Sequence, residues 1–137
     1  MMRGLFFKLV VMTVVAVNQC SGKRYHVDIT NNLSPNNVLN LHCRSKDDDL
    51  GKHALAVGGD FSFSFQVSLF GTTTFWCDVN WGNIDRGSYV VFTRDYGLWE
   101  SCDYKNCFWS ARDDGLYLMD IPHGRRYKLV YSWSSMS

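Results

Sequence analysis

The chain has little proline, two residues in 137, and almost no net charge: 14 basic and 13 acidic residues give a formal +1. That balance lacks the basic excess needed to neutralise a phosphate backbone, so nucleic-acid binding is not expected. Gly58-Gly59 lacks the further glycine and the following helix of a phosphate loop. No Gly-x-Ser-x-Gly elbow is present to hold a nucleophilic serine. No paired Cys-x-x-Cys with a nearby histidine cluster is present to hold zinc. After residue 22 no apolar run approaches the roughly 20 residues that span a bilayer, and no stretch shows a helical period. Neither a cofactor nor a metal is therefore expected. What the chain does have is 46% hydrophobic and 15% aromatic residues, enough for a packed core.

The first residues read as an export signal. Arg3 gives a positive start, Leu9 to Val17 is apolar, and small residues follow at Cys20, Ser21 and Gly22. The apolar stretch is too short to stay in a membrane, so residues 1–22 are expected to be cleaved. Residues 23–137 then form a single secreted domain with no membrane insertion. Loss of Arg3 and Lys8 leaves 12 basic and 13 acidic residues, a formal charge of −1. Cys20 leaves as well, and the five cysteines become Cys43, Cys77, Cys102 and Cys107. Four cysteines in a secreted domain point to two disulfides. Three connectivities are open, and Cys43–Cys77 with Cys102–Cys107 is preferred. The first pair lies on the apolar faces of two core strands, which its bond could tie across the two layers. The second encloses a segment short enough to close a hairpin.

The remaining chain alternates with a period of two. Tyr25, Val27 and Ile29 share one face, as do Leu39, Leu41 and Cys43. Phe61, Phe63 and Phe65 form a third stripe, Phe75 to Trp81 a fourth, and Tyr127, Leu129, Tyr131 and Trp133 a fifth. Such alternation marks half-buried antiparallel strands. Turn residues punctuate the runs at Asn31–Asn37, Lys46–Gly51, Gly58–Asp60, Gly82-Asn83 and Asp113–Gly115. The fold class is therefore all-β, an antiparallel β-sandwich of about eight short strands stapled by two disulfides. A closed barrel is the alternative.

Catalytic signals are sparse. His26 and His42 fall on the outward faces of two strands; if neighbours, they offer a ribonuclease-like acid and base. Without a local signature or a phosphate-binding cluster beside them, they read better as surface histidines. Asp47-Asp48-Asp49 lacks the alternate spacing of a calcium loop and reads as a solvated turn. Trp81 and Trp133 lie on core stripes. Leu98 and Trp99, in the loop Asp95–Glu100, are candidate partner anchors or else cover for a sheet edge. Asn32-Leu33-Ser34 is a glycosylation sequon in a loop, with Pro35 behind it lowering its expected occupancy.

Several motifs then occur in order: Leu41-His-Cys43-Arg-Ser-Lys-Asp-Asp-Asp-Leu-Gly51, Phe61-Ser-Phe-Ser-Phe65, Phe75-Trp-Cys77, and Cys102-Asp-Tyr-Lys-Asn-Cys107-Phe-Trp109. Together they resemble the plant self-incompatibility S-protein homologue family, over nearly all of Val27 to Tyr131. The resemblance implies a small secreted β-sandwich with two disulfides and no enzymatic activity. Its founding members are pistil ligands recognised by a pollen membrane protein, and recognition of self arrests pollen growth. Most homologues have no assigned role, and many are made outside the pistil. By this resemblance the chain is expected to be a monomeric extracellular ligand for an unidentified plasma-membrane receptor protein. The expected receptor-contact loop is Asp95–Glu100, with Tyr96, Leu98, Trp99 and Glu100 as its contact residues, and the Asn31–Asn37 loop is a second candidate. Replacing Leu98 and Trp99 by serine is expected to reduce binding while sparing thermal stability. The rivals are a secreted hydrolase, such as a ribonuclease, and a cell-wall carbohydrate-binding module.

Overall fold

The structure, a computed structural model, describes residues 24–67, 73–94 and 96–134. The export signal expected over residues 1–22 lies outside the described residues. Among the described residues nine strands and one short helix follow in order: β1 Arg24–Asn31, β2 Leu39–Arg44, β3 Asp49–Leu55, β4 Asp60–Gln66, β5 Phe75–Trp81, β6 Ile84–Phe92, α1 Tyr96–Ser101, β7 Asn106–Arg112, β8 Gly115–Asp120 and β9 Arg126–Ser132. They form a five-stranded sheet, β4-β1-β7-β8-β9, and a four-stranded sheet, β3-β2-β5-β6. The fold is all-β, as expected. All pairings are antiparallel except β1 with β7, which run parallel.

The period-two stripes become the interior. Val27, Ile29, Leu39, Leu41, Cys43, Cys77 and Val79 are buried, while their chain neighbours face outward. The three Phe of β4 cross the interlayer space. Phe65 lies 4.6 Å from Phe75 and 4.7 Å from Phe92, and Phe61 stacks on His53 at 3.9 Å. A second aromatic group fills the opposite side. Tyr131 stacks on Trp109 at 5.9 Å and lies 5.1 Å from Tyr89, while Trp133 lies 6.5 Å from Trp81. Trp109 is fully buried, and its indole Nε1–H donates to the Val91 carbonyl of the facing sheet at 2.9 Å. Tyr131 makes a parallel link, its hydroxyl donating to the Val90 carbonyl at 2.9 Å.

Both disulfides form as preferred, Cys43–Cys77 and Cys102–Cys107. Their placement differs from expectation. Cys43 and Cys77 stand directly opposite on adjacent β2 and β5, Cα atoms 4.0 Å apart, so the bond lies within one sheet and does not join the layers. Cys102–Cys107 ties the end of α1 to β7 rather than closing a hairpin. Asp103 and Tyr104 turn the chain between them with φ of 51° and 58°. Chain entropy assigns about 4 kcal/mol to the longer loop and about 2 kcal/mol to the shorter.

The stripe Tyr127-Leu129-Tyr131-Trp133 is broken. Leu116 pairs with Tyr131 but Tyr117 pairs with Leu129, so Val130 is an extra residue in β9. This bulge shifts the alternation by one. Tyr131 and Trp133 turn inward, whereas Leu129 and Val130 remain 45% and 39% exposed. The segment Asp95–Glu100, expected as a loop, is largely the single turn-and-a-half of α1. Six residues are too few for a helical period to show.

Turn chemistry is explicit. Gly82 and Asn83, with φ of 63° and 58°, make the two-residue hairpin between β5 and β6. The β7–β8 turn works differently from an Asp-Gly turn at positive φ. Asp113 and Asp114 form it, and Gly115 is the first paired residue, opposite Arg112. A Cβ at Gly115 would collide with the Tyr131 carbonyl oxygen.

Two stability outcomes are expected in urea unfolding. Trp109→Phe leaves the Val91 carbonyl without its indole donor and opens a gap, costing about 2–3 kcal/mol. Gly115→Ala drives a methyl into the β9 backbone and should cost at least as much; a cost under about 0.5 kcal/mol would show that β9 yields easily.

Candidate functional site

The expected receptor-contact residues sit on α1. Its backbone leads into the Cys102–Cys107 staple, and the Ser101 hydroxyl donates to the Gly97 carbonyl at 3.1 Å. Leu98 and Trp99 are half-buried and pack against the core rather than projecting from a loop. Trp99 lies 6.2 Å from Tyr25 and 5.3 Å from Tyr104, with the Arg94 guanidinium 5.0 Å from its ring. Its Nε1 is buried, with no hydrogen-bond partner among the described residues. Trp99 is thus partly structural, and its replacement is now expected to lower stability. Glu100 is half-buried; Asp95 and the Tyr96 side chain lie outside the described residues.

Leu98 opens onto a surface that alternation alone did not reveal. A groove of about 600 Å³ runs between edge strands β6 and β9, one from each sheet, with α1 at one end. Val90, Leu98, Leu129 and Val130 supply its apolar wall. Lys128 stands at its rim, its Nζ donating to Ser101 Oγ at 2.8 Å and lying 3.8 Å from Asp120. The β9 bulge creates this wall by turning Leu129 outward. No sequence signal announces that bulge, since it depends on the pairing of β8 with β9.

The two histidines do not meet. His26 lies on β1 of the five-stranded sheet and His42 on β2 of the four-stranded sheet, each alternating with buried neighbours. They therefore project from opposite outer faces. His42 Nε2 instead lies 2.7 Å from Asp49 Oδ1. The Gly51 backbone N–H and then His42 hold the Asp49 carboxyl below its ordinary pKa. Asp49 thereby anchors the β2–β3 turn. Asp48 N–H donates to Ser45 Oγ at 3.1 Å within the same turn, giving the acidic run a structural role.

The Asn31–Asn37 loop divides. Asn31 is fully buried: its Nδ2 donates to the Asn37 and Leu55 carbonyls, both at 2.9 Å, and its Oδ1 accepts from Leu33 N–H at 2.9 Å. Ser34, Pro35 and Asn36 form an exposed tip. The sequon residue Asn32 is exposed, with Nδ2 donating to Ser110 Oγ at 2.6 Å.

Two further features are distributed over the outer faces. On the four-stranded sheet an open groove of about 760 Å³ is lined from all four strands, including Asn40, His42, Lys52, Asp78 and Asn80. On the five-stranded sheet Asp28 lies beside Asp60, and one Asp28 oxygen is buried without a partner. Burial, then the Asp60 carboxyl, raises the Asp28 pKa from 3.8 to about 7. Nearby, Arg112 stacks over Tyr117 at 4.3 Å and Tyr127 at 5.2 Å. Among the described residues, no group of three or more His, Cys, Asp or Glu is arranged to hold a metal, and no helix is long and apolar enough to cross a membrane.

Comparison with known proteins covers nearly the whole described chain. Residues 26–133 match the family model for plant self-incompatibility protein S1. S-protein homolog 8 of Arabidopsis thaliana is 38% identical over 137 residues, covering 96% of this chain and 99% of that protein. S-protein homolog 1 of the same plant is 38% identical over 100 residues, 73% of this chain and 66% of that protein. Self-incompatibility protein S1 of Papaver rhoeas is 34% identical, covering 85% of each chain. A solved self-incompatibility protein homologue, from a widespread family of small, highly stable, secreted plant proteins, superposes with a TM-score of 0.60 at 25% identity. That match covers 83% of this chain and 97% of the solved one.

The Asp28 environment has a definite pH consequence. Its folded pKa lies above the unfolded value, so the folded chain holds this proton more tightly, and the contribution to stability falls as pH rises from about 4 to about 7. Asp28→Asn should raise the melting temperature by a few degrees at pH 8 and give no gain at pH 4; a gain independent of pH would refute the assignment.

Proposed function

The chain belongs to the plant self-incompatibility protein S1 family, and from that premise we propose that it is a monomeric, non-enzymatic signalling ligand recognised by a plasma-membrane receptor protein. The family to which it belongs is one of secreted plant proteins. The single observation that carries the proposal is the family match over residues 26–133. Recognition involves no chemical step. It requires a rigid scaffold that presents a desolvatable apolar patch with a polar rim.

The groove between β6 and β9 offers such a patch. Leu98, one of the expected contact residues, shares it with Leu129 and Val130. Trp99 and Glu100 lie on the same helix, so the contact surface extends from α1 onto β9. Leu129 and Val130 carry the contact better than Trp99, because their side chains can be changed without opening the core. The hydrolase reading loses its main support, because an acid–base pair must reach the same bond. His26 and His42 stand on opposite sheets and share no such reach. Pollen rejection is one form this signalling takes, and it requires expression in the pistil.

Fluorescently labelled protein should bind saturably to plasma-membrane vesicles from the responding tissue. The double variant Leu129→Asp, Val130→Asp should weaken that binding at least tenfold with its melting temperature little changed. Undiminished binding by the double variant would remove the groove from the contact surface. His42-dependent RNA hydrolysis by the purified protein would overturn the ligand reading itself.

A further inference from the structure

The outer face of the four-stranded sheet differs from an ordinary solvated strand surface. Its side chains form registered rows across the strands. Ala54, Asn40, Asn80 and Asp85 stand opposite one another from β3 to β6, and the next row is Lys52, His42, Asp78 and Ser88. Asparagine is depleted in strands, yet Asn40 and Asn80 face each other in the two central strands. Several of the charged groups around them are paired, while Lys52 and Asp85 stand on the two edge strands β3 and β6. Arg44 donates to Asp78 at 2.7 Å, and His42 lies 2.7 Å from Asp49. This leaves the two central amides without hydrogen-bond partners among the described residues.

The edge of this face is opened by β6. Asn80 pairs with Asp85 and Val79 with Gly87, so Arg86 is a bulge residue. Asp85 Oδ1 accepts from Gly87 N–H at 3.0 Å and fixes the bulge. Gly87 lines the groove and carries no side chain; a Cβ there would lie 2.9 Å from the Tyr89 hydroxyl. Bulges recur where strands are re-aimed beside binding sites. The resulting groove of about 760 Å³ crosses all four strands. Its size is that of small-molecule sites, and four strands at about 4.8 Å spacing make it about 14 Å wide, so a chain that reaches both Asn80 and Trp76 runs along β5. One row beyond it, half-buried Trp76 stands between Arg44 and Val90.

We propose that this groove binds a neutral oligosaccharide, with the Asn40 and Asn80 amides hydrogen-bonding paired hydroxyls and Trp76 stacking on a sugar ring. The chemistry follows from the donor set. Each amide offers both an acceptor and donors without charge, which matches a pair of vicinal hydroxyls. An indole face suits the apolar face of a pyranose. Asp78 and Asp85 are balanced on this face by Arg44 and Lys52, so the surface favours neither sign of charge and suits a neutral ligand. The open ends accommodate a longer chain passing through. This surface is separate from the β6–β9 groove, and the inference does not depend on receptor recognition.

The test is titration of the isotopically labelled protein with cellohexaose, xylohexaose, mannohexaose and a galacturonan oligomer, followed by NMR and calorimetry. At least one neutral hexaose is expected to shift the Asn40 and Asn80 side-chain amide signals. Its affinity should fall at least tenfold in Asn40→Ala, Asn80→Ala, whose melting temperature stays near that of the parent. Shift mapping on the unmodified protein serves if that variant does not fold. Lack of binding by every neutral hexaose, shifts confined to other faces, or tighter binding of galacturonan would each overturn the proposal.

Discussion

At β6 the two sheets are linked by hydrogen bonds from aromatic side chains, while each disulfide lies elsewhere. The Trp109 indole donates to the Val91 carbonyl, and the Tyr131 hydroxyl donates to the Val90 carbonyl. Both acceptors belong to β6, an edge strand whose outer side has no neighbouring strand within its own sheet. Each bond ties a side chain of the five-stranded sheet to the backbone of the four-stranded one. The disulfides act elsewhere: Cys43–Cys77 fixes the register of β2 on β5, and Cys102–Cys107 fixes α1 against β7. Covalent bonds set local register, and buried aromatics set the distance between layers. With β6 held in place, its bulges and the neighbouring β9 define the two grooves on the surface.

Much of the fold was legible because alternation is a local signal. The Val27–Ile29, Leu39–Cys43 and Phe61–Phe65 stripes lie inward as expected, and the preferred cysteine pairing is the one formed. What stayed hidden depends on pairing between distant segments. A period of two continues unbroken through Tyr127 to Trp133, but one extra residue opposite β8 reverses which half is buried. Likewise, outward-facing His26 and His42 gave no hint of whether their strands share a sheet. Asp28 and Asp60 lie far apart in sequence and meet only because β1 pairs with β4. The α1 helix escaped because six residues cannot display a helical stripe.

Both grooves border β6 but on different sides of it. Asp85, Gly87 and Ser88 contribute to the sheet-face groove, and Val90 contributes to the groove against β9. A substitution in β6 would disturb both surfaces together with the aromatic links between layers. The two can be separated only on the strands that do not touch both: Asn40 and Asn80 on β2 and β5, Leu129 and Val130 on β9.

Recognition surfaces on β-sandwiches are commonly carried by loops, and that expectation needs qualifying for this molecule. The loops here are heavily used by the fold. Asn31 spends its whole amide on three backbone groups and draws the β1–β2 loop onto the end of β3. Asn37 closes the same loop through Ser34, and Ser45 and Asp49 close the next. Substitution at these positions would leave buried or turn-forming groups unpaired, so few loop residues are free to vary without cost. The exposed tip residue Pro35 is one exception. Asn40 and Asn80 on the outer sheet face, and Leu129 and Val130 beside the β6–β9 groove, have no such obligation, since their side chains make no hydrogen bond to the described residues while their strands are paired beneath them. In this fold the freedom to acquire a partner lies on the faces and edges of the sheets more than in the connections between strands.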